Sequence, residues 1–543
     1  MNRFALVFAL LLALPFTGHA QNPSQTTLTP PAARTISAAG IRGHLAFLAD
    51  DLLQGRAPGT AGGRLAARYI ASQLTLIGLE QPRGGFRQGV AIDAWQPDTT
   101  RSSVSFVARG DTIGVALNAD VIAWPGVADT LVNIGADVVF VGYGVRAPEY
   151  DWDDYERRDV KGKVVLILGG DPPTPPTEPA LFEGRALTRY GRWTYKLEEA
   201  RRQGAAGALI VHTDDSAGYP WNVVQSSFGE AQYTLADRRN QPAPLRVEGW
   251  IRVSTARSLL ADAGHSLDEL LASAARRDFQ PVSTGITMRA RIAGSARRID
   301  TQNVVGMLPG REHADSFVVY TAHFDHLGIG PAVNGDSIYN GAYDNASGVA
   351  ALLEIARAFR RLEQPPARSV VFLFTTAEEA GLLGSTQYVR TPAAPVANTI
   401  AAINIDGANL WGETHDFVLL GAESTPGIAG IADARGAEMN MRRTPDPAPW
   451  LGLYFRSDHF AFVQAGVPAV QLMHGEHYRG RPENWGIEML ARWNASSYHL
   501  PTDEYDPAMD LRGAVQQARL AFLIGYDVAE RGVGNDSTTQ RER

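Results

Sequence analysis

From residue 304 onward, apolar and polar positions follow a regular pattern. Short, almost uninterrupted apolar stretches alternate with a segment whose apolar residues recur at helical spacing. The apolar stretches read SFVVYTAH, SVVFLFTT, TIAAINID and VPAVQLM. The helical segment, SGVAALLEIARAFRRL, places five apolar side chains on one face: Val349, Leu352, Leu353, Ala356 and Phe359. Buried strands that alternate with amphipathic helices predict an α/β fold with a mainly parallel central sheet flanked by helices.

The first half of the chain has a different pattern of apolar and polar residues. Residues 38–79 hold two helical patterns, and we interpret the glycine-rich GRAPGTAGG between them as a connector, because it lacks the flanking features of a phosphate-binding loop. Between residues 117 and 290, short β patterns such as ADVVFVGYGV and GKVVLILGG are bounded by turns. We therefore predict an inserted, mostly β domain over residues 117–290. Residues 38–116 and 291–530 would form the main domain, followed by a polar tail over residues 531–543.

The N-terminus has the pattern of a secretory signal peptide. Arg3 precedes the apolar run FALVFALLLALPF, and small residues follow it at Gly18 and Ala20. We predict cleavage near Ala20, a flexible leader over residues 21–37, and a secreted or periplasmic protein. An N-terminal membrane anchor is the alternative, although the apolar run is short for a bilayer span. No later segment approaches eighteen consecutive apolar residues, so we expect no stable membrane insertion.

The amino-acid composition limits the kinds of binding and catalytic site that the chain can form. The chain has 543 residues and a net charge of -8, and it lacks long basic runs, which argues against nucleic-acid binding. It contains no cysteine, so disulfides, thiolate metal sites and a cysteine nucleophile are excluded. Any metal ion must therefore be bound by histidine and carboxylate side chains.

Side chains of that type stand at the ends of the predicted strands. His323 ends one strand and Asp406 another, whereas Glu378 and Glu379 follow a third. Asp344 lies in a turn before the helix, and a later loop offers His499. Functional groups collect at the carboxyl ends of parallel strands. Two zinc ions that share a carboxylate need about two histidines and three acids, and one glutamate is then left over as a general base.

Each of these residues also has an ordinary structural interpretation. A histidine at a strand end is more often structural, and Asp344 could cap a helix or form an Asx turn. Asp406 could belong to a turn, and the two glutamates could simply begin a helix. His415, His459, His474 and His477 compete for the place of the second histidine. The coincidence on successive strand ends favours the metal site.

Several motifs together resemble peptidase family M28, a family of di-zinc metallopeptidases. They are AHFDHLG, YNGAYDNASGVAALLEIAR, FLFTTAEEAGLLGS, INIDG, YFRSDHFAFVQAGVPAVQL and YHLPTDEYD, and they span about residues 304–523. The segment HLAFLADDLLQGRAPGTAGGRLAARYIASQL resembles the N-terminal part of the same domain. The intervening region resembles an inserted protease-associated (PA) domain.

The resemblance implies a role for each candidate. His323 and Asp406 would bind one zinc ion, Glu379 and His499 the other, and Asp344 would bridge the pair. Glu378 would be the general base, and Asp325 would orient His323. Tyr454 would help to stabilise the oxyanion. The family pattern also implies a cis or strained peptide bond after Asp344.

The function expected from these roles is that of a zinc-dependent aminopeptidase acting on peptides through a metal-bridging hydroxide. A glutamate-carboxypeptidase-like enzyme or a dipeptidase would use the same metals and would need an arginine cluster, for which five residues qualify: Arg442, Arg443, Arg456, Arg479 and Arg481. A mono-zinc cyclase of N-terminal glutamine and a non-catalytic, receptor-like protein are further alternatives. A Ser-His-Asp hydrolase is disfavoured because GXSXG is absent.

Overall fold

The structure, a computed structural model, describes residues 30–82, 84–156, 158–229, 231–239 and 242–533. The predicted signal peptide, the start of the leader and most of the polar tail lie outside these ranges. Within the described ranges, no helix combines the length and apolarity that a membrane crossing requires.

Thirteen α-helices lie in the described part of the chain: α1 Ala38–Leu48, α2 Ala61–Ile77, α3 Trp193–Arg202, α4 Asp214–Ala217, α5 Trp221–Phe228, α6 Val253–Asp262, α7 Leu267–Ala274, α8 Gly348–Arg360, α9 Leu383–Arg390, α10 Pro426–Glu438, α11 His459–Gln464, α12 Trp485–Ser496 and α13 Arg512–Arg531. The strands are β1 Arg87–Pro97, β2 Ser103–Ala108, β3 Asp111–Val115, β4 Val121–Trp124, β5 Leu131–Phe140, β6 Arg146–Ala147, β7 Trp152–Asp153, β8 Val164–Leu168, β9 Gly207–His212, β10 Gln232–Leu235, β11 Val247–Arg252, β12 Val282–Leu308, β13 His313–His323, β14 Gly328–Val333, β15 Asp336–Tyr339, β16 Arg368–Thr375, β17 Thr399–Asn404, β18 Asp416–Leu420, β19 Arg442–Thr444 and β20 Ala469–His474.

One continuous sheet runs through both halves of the molecule. Its main path is β19-β18-β20-β17-β13-β16-β12-β5-β8-β9-β11-β4. At its centre, β13 pairs in parallel with β16 and β17, and β17 pairs in parallel with β20. The predicted α/β fold with a mainly parallel central sheet is therefore confirmed.

Both faces of this central sheet are covered, as its apolar strands require. Successive side chains of a strand point to opposite faces. Val318 and Tyr320 of β13 enter a core that also contains residues of α1, α2, α8 and α13. Their neighbours Phe317 and Val319 enter a second core with Tyr388 of α9 and residues of α11. This double burial explains why the strand sequences show no alternation of apolar and polar residues.

A separate core lies in the other half of the sheet. It is built around β5, β8, β9 and β11, which pair in parallel along their shared edges, and around α3, α6 and α7. Val104 and Phe106 of β2 belong to this core, so it begins before the predicted boundary at residue 117. The hairpin β2–β3 packs there because β2 pairs with the first half of β12. We call this region the inserted lobe and the rest of the molecule the main lobe.

The tight approach of α13 to β13 gives a test of the main core. A methyl group on Gly525 would lie 1.8 Å from the hydroxyl oxygen of Tyr320, and that hydroxyl donates to the backbone oxygen of Ala521 at 2.7 Å. We expect Gly525→Ala to lower the free energy of unfolding by roughly 1–3 kcal/mol, because the helix must shift away from the sheet. Denaturant unfolding followed by circular dichroism measures this change.

Gly430, in α10, is the matched control, because a methyl group there would meet nothing within 4 Å. Gly430→Ala should leave stability unchanged or raise it by roughly 0.5–1 kcal/mol through helix propensity. Equal effects of the two substitutions would contradict the packing that we describe.

Candidate metal centre

The register of the parallel strands brings the candidate side chains together. His323, the last residue of β13, is paired with Thr375, the last residue of β16. Two residues later the chain turns at Ala377, whose φ of 55° is in the left-handed region, and Glu378 and Glu379 follow at once. Asp406 lies just beyond the end of β17 on the other side of β13. The strand ends therefore converge, as the sequence predicts.

Asp344 lies between the two predicted histidines. Its Oδ1 is 3.3 Å from Nε2 of His323, and its Oδ2 is 3.4 Å from Nε2 of His499. His323 Nε2 is also 3.1 Å from Asp406 Oδ1, and His499 Nε2 is 3.2 Å from Glu379 Oε2. Each histidine thus faces one carboxylate of its own and shares Asp344 with the other. The peptide bond after Asp344 is cis, as the family pattern implies.

This donor set fits a metal centre. In the described residues, His323, Asp344 and Asp406 form one group whose ligand atoms lie within 4.8 Å of one another, His326, Asp344 and Glu379 form a second, and His323, Glu378 and Glu379 form a third. Imidazole nitrogens and carboxylate oxygens are ligands that zinc accepts. Asp344 belongs to the first two groups, which is the arrangement that two neighbouring ions with a shared carboxylate require.

The pKa values of the two adjacent glutamates are shifted in opposite directions. Burial, together with the charges of Asp406 and Glu379, raises the pKa of Glu378 well above its ordinary value. Burial acts in the same direction on Glu379, but the charge of His499 and the hydrogen bond with His326 lower the pKa of Glu379 to about 2. A pair whose environments separate their pKa values in this way is suited to two different tasks.

Asp325 lies beside His323, although not in the manner expected. The Nδ1 atom of His323 is 3.2 Å from the backbone oxygen of Asp325 and 3.9 Å from its carboxylate. The carboxylate instead accepts a hydrogen bond from the backbone N–H of Glu378 at 3.2 Å. Asp325 therefore contacts both the histidine and the glutamate loop, and its backbone makes the closer contact with the ring.

His326 is a residue of the cluster that sequence reasoning missed. Its Nδ1 lies 2.6 Å from Glu379 Oε1, and the side chain is buried. The signal was present in the motif HFDH, where a second histidine follows the first by three residues at a strand end. A turn after the strand, rather than continued extension, brings this second ring back to the cluster.

Tyr454 is less closely connected to the cluster. Its hydroxyl lies 3.4 Å from Ser424 Oγ, and its ring packs against His459. The segment that carries it is held by the inserted lobe. The backbone N–H of Leu187 donates to the carbonyl of Pro449 at 3.0 Å, and Arg185 stacks over the ring of Trp450 at 5.3 Å.

The competing histidines have other surroundings. His474 Nε2 lies 3.1 Å from the hydroxyl of Tyr343, and His477 Nδ1 lies 2.7 Å from Asp416. His459 is buried under Tyr454, and the backbone N–H of His415 donates to the carbonyl of His477. None of these four belongs to a group of potential metal ligands in the described ranges. Among the predicted histidines, His499 instead approaches the cluster, with Nε2 3.4 Å from Asp344 Oδ2 and 3.2 Å from Glu379 Oε2, whereas the histidine of the second ligand group is His326.

Comparison with known proteins identifies a family match. Residues 303–523 match peptidase family M28. The chain is 28% identical over 505 residues to a probable lipoprotein aminopeptidase of Mycobacterium tuberculosis, an alignment that covers 90% of this chain and 84% of that relative. A probable glutamate carboxypeptidase of Arabidopsis thaliana is 28% identical over 240 residues, which cover 40% of this chain and only 32% of the relative.

A solved structure supports the fold over nearly the whole chain. An aminopeptidase from Aneurinibacillus sp. strain AM-1 superposes with a TM-score of 0.52 at 17% sequence identity. The superposition covers 92% of this chain and 95% of the other. At this level of identity the likeness concerns the architecture alone.

The position of Asp344 between two histidines yields a test by metal analysis. The purified wild-type protein should hold about two zinc ions. Asp344→Asn should lose most of this metal, because the amide removes the negative charge that both ions would share. Plasma emission spectroscopy after dialysis against zinc-free buffer measures the content.

Asp416→Asn is the control, since Asp416 is also buried but bonds to His477 and to backbone N–H groups away from the cluster. Its zinc content should equal that of the wild type. Full zinc occupancy in Asp344→Asn would remove Asp344 from the bridging position.

Proposed function

We propose that the protein is a zinc-dependent aminopeptidase that removes N-terminal residues from peptides, because residues 303–523 match peptidase family M28. The observation that carries this proposal is the placement of Asp344 between His323 and His499, beside a pair of glutamates with separated pKa values. Such a centre serves hydrolysis of a carbonyl compound.

We assign the ligands from the contacts. His323 and Asp406 would hold one ion, Glu379 and His499 the other, and Asp344 both. Bound zinc supplies a water of lowered pKa and a Lewis acid for the scissile carbonyl. His326 keeps Oε1 of Glu379 in place, so that Oε2 faces His499. The count of two ions is part of the proposal.

Glu378 is the proposed general base. Its carboxylate lies 3.9 Å from Nε2 of His323. It therefore borders the cluster, but it lies farther from this ring than the proposed ligands Asp344 and Asp406 do. Its raised pKa favours uptake of a proton from the attacking water. The same carboxyl then gives the proton to the leaving amine. The hydrogen bond from the backbone N–H of Glu378 to Asp325 fixes the loop during both transfers.

Tyr454 is proposed to donate its hydroxyl to the developing oxyanion. The proposal rests on its place before the SDH sequence and on the orientation of its ring over His459. We further propose that the inserted lobe is a PA domain. Through Leu187 and Arg185 it supports the segment that carries Tyr454, and it would thereby restrict which substrates reach the centre.

A second candidate function is carboxypeptidase or dipeptidase activity on acidic peptides. Burial raises the pKa of Tyr219, and the positive charges of Arg456 and of Arg192, which belongs to the inserted lobe, act against that shift. The Nε atoms of both arginines are buried without a hydrogen-bond partner in the described residues. A substrate carboxylate would satisfy such groups. Arg443 and Arg479 are less available, because they pair with Asp433 and Glu413.

The proposed location is outside the cytoplasm, either secreted or periplasmic. It rests on the signal-peptide pattern of residues 1–20 and on the similarity to a relative whose name includes lipoprotein. Peptides are the proposed substrates.

The role of Glu378 can be separated from metal binding. Glu378→Gln should reduce kcat by about 10²–10⁴-fold, because the amide cannot take up the proton, while the zinc content stays at the wild-type level. Steady-state hydrolysis of an amino-acid anilide, together with metal analysis of the same sample, measures both quantities.

Glu354→Gln provides the control for removing a buried glutamate, since Glu354 lies in α8 and bonds to Ser37 and Arg357 instead of the cluster. It should retain wild-type kcat. Normal turnover by Glu378→Gln would exclude Glu378 as the base.

Substrates with blocked and free ends distinguish the two candidate functions. An aminopeptidase should cleave a tripeptide with a free α-amino group and leave its N-acetylated form intact. Rapid cleavage of N-acetylated peptides ending in glutamate would instead favour the carboxypeptidase. Mass spectrometry of the products identifies the bond that is cut, and the chelator-treated enzyme serves as the blank.

A further inference from the structure

Arg56 is one of the most deeply buried side chains of the described molecule. It is 1% exposed and belongs to the GRAPGTAGG segment that sequence analysis interprets as a connector. A charged side chain is rarely placed so deep unless its hydrogen-bonding groups are matched. The partners of its guanidinium therefore indicate what this segment does.

All the hydrogen bonds of this guanidinium go to backbone carbonyl oxygens. Nε donates to Phe324 at 2.8 Å, Nη1 donates to Leu48 and to Asn340 at 2.5 Å each, and Nη2 donates to Gly341 at 3.0 Å. Phe324 lies between His323 and Asp325, and Gly341 begins the turn that leads to Asp344. One planar group thus joins the two loops that carry the proposed zinc ligands to the end of α1.

The backbone around Arg56 is shaped for this contact. Gln54, Gly55 and Arg56 are three consecutive residues with φ values of 48°, 66° and 54°. Left-handed backbone is unfavourable for residues with a side chain and persists where the surroundings hold it. A methyl group on Gly55 would lie 2.5 Å from the carbonyl oxygens of Gly328 and Tyr339, so the turn presses directly on the segments that flank both loops.

The charge of Arg56 is not paired directly. Within the described ranges, the hydrogen bonds of this guanidinium reach carbonyl oxygens and no carboxylate. Burial lowers the pKa of Arg56 to about 10, and more distant carboxylates, led by Asp325 and Asp503, oppose that shift. The contacts that hold the side chain are therefore those with the loops, and the acidic cluster acts on it only from a distance.

We propose that Arg56 is a positioning residue of the metal centre, whose guanidinium sets the separation between the His323 loop and the Asp344 turn that two zinc ions require. This inference rests on the proposed zinc site. A fork of fixed geometry can bind several carbonyl groups in one plane, which neither lysine nor a neutral side chain can do. Loss of the fork would leave buried carbonyls unsatisfied and the ligand loops free to separate.

The test is the zinc affinity of Arg56→Lys and Arg56→Met, measured on the full chain by competition with a chromophoric chelator. We expect both variants to bind zinc more weakly, by roughly 10–100-fold, with the larger loss for methionine. The visible absorption of the cobalt-substituted protein should also change, because the ligand geometry changes. Arg56→Lys keeps the positive charge, so this variant alone provides the test if Arg56→Met does not fold.

Two outcomes would overturn the inference. A purely electrostatic role predicts the opposite sign, because removing a positive charge near the site should tighten zinc binding in Arg56→Met and leave Arg56→Lys unchanged. Wild-type affinity and cobalt spectrum in both variants would exclude a positioning role altogether. A wild-type protein that binds no zinc would instead contradict the proposed function itself.

Arg435 supplies the matched control. It is similarly buried, at 2% exposure, and forms a fork with Asp527 that joins α10 to α13 away from the cluster. Arg435→Lys and Arg435→Met should lower the melting temperature without changing zinc affinity. If they weaken zinc binding as much as the Arg56 variants do, the effect is one of general stability and the inference fails.

Discussion

Crowded negative charge at the carboxyl ends of β13, β16 and β17 is the constraint on which the main lobe depends. Asp344, Glu378, Glu379 and Asp406 lie within a few ångströms of three imidazole rings, and most of these side chains are buried. Buried carboxylates repel one another and lose hydration, so such a cluster is unfavourable unless positive charge joins it. The histidines compensate part of the charge, and divalent cations would compensate the rest.

A layer of hydrogen-bonded polar side chains lies directly under this cluster. Thr321 donates to Asn404 at 2.6 Å, Asn404 donates to Ser457 at 2.7 Å, and Thr375 donates to the carboxylate of Asp458. Thr321, Thr375 and Asn404 lie at the ends of β13, β16 and β17, and Ser457 and Asp458 directly precede α11. Because each bond connects neighbouring strands or loops, the layer restricts how far the ligand positions can move. Arg56 makes similar connections from the side of α1.

The inserted lobe is tied to the main lobe by more than a linker. The strand β12 pairs with β2 and β5 in its first half and with β1 and β16 in its second half, so one strand belongs to both cores. A second contact joins Leu187 and Arg185 to the segment of Pro449 and Trp450. Because β12 is shared, the continuous sheet fixes the position of one lobe relative to the other. The second contact therefore lies at a defined position relative to the cluster.

The strands, the main helices and most of the cluster residues could be predicted from the amino-acid sequence alone. Apolar runs and strand-end polar residues are local signals, and burial on both faces makes the strands easy to recognise. The sequence did not show which face of α2 is buried. Leu65 is 49% exposed, because its small neighbours Ala66 and Ala67 face the core instead. Nor did the sequence reveal the return of His326 to Glu379 or the burial of Arg56. Those placements depend on turns and on contacts between residues far apart in the chain, which no local pattern of residues specifies.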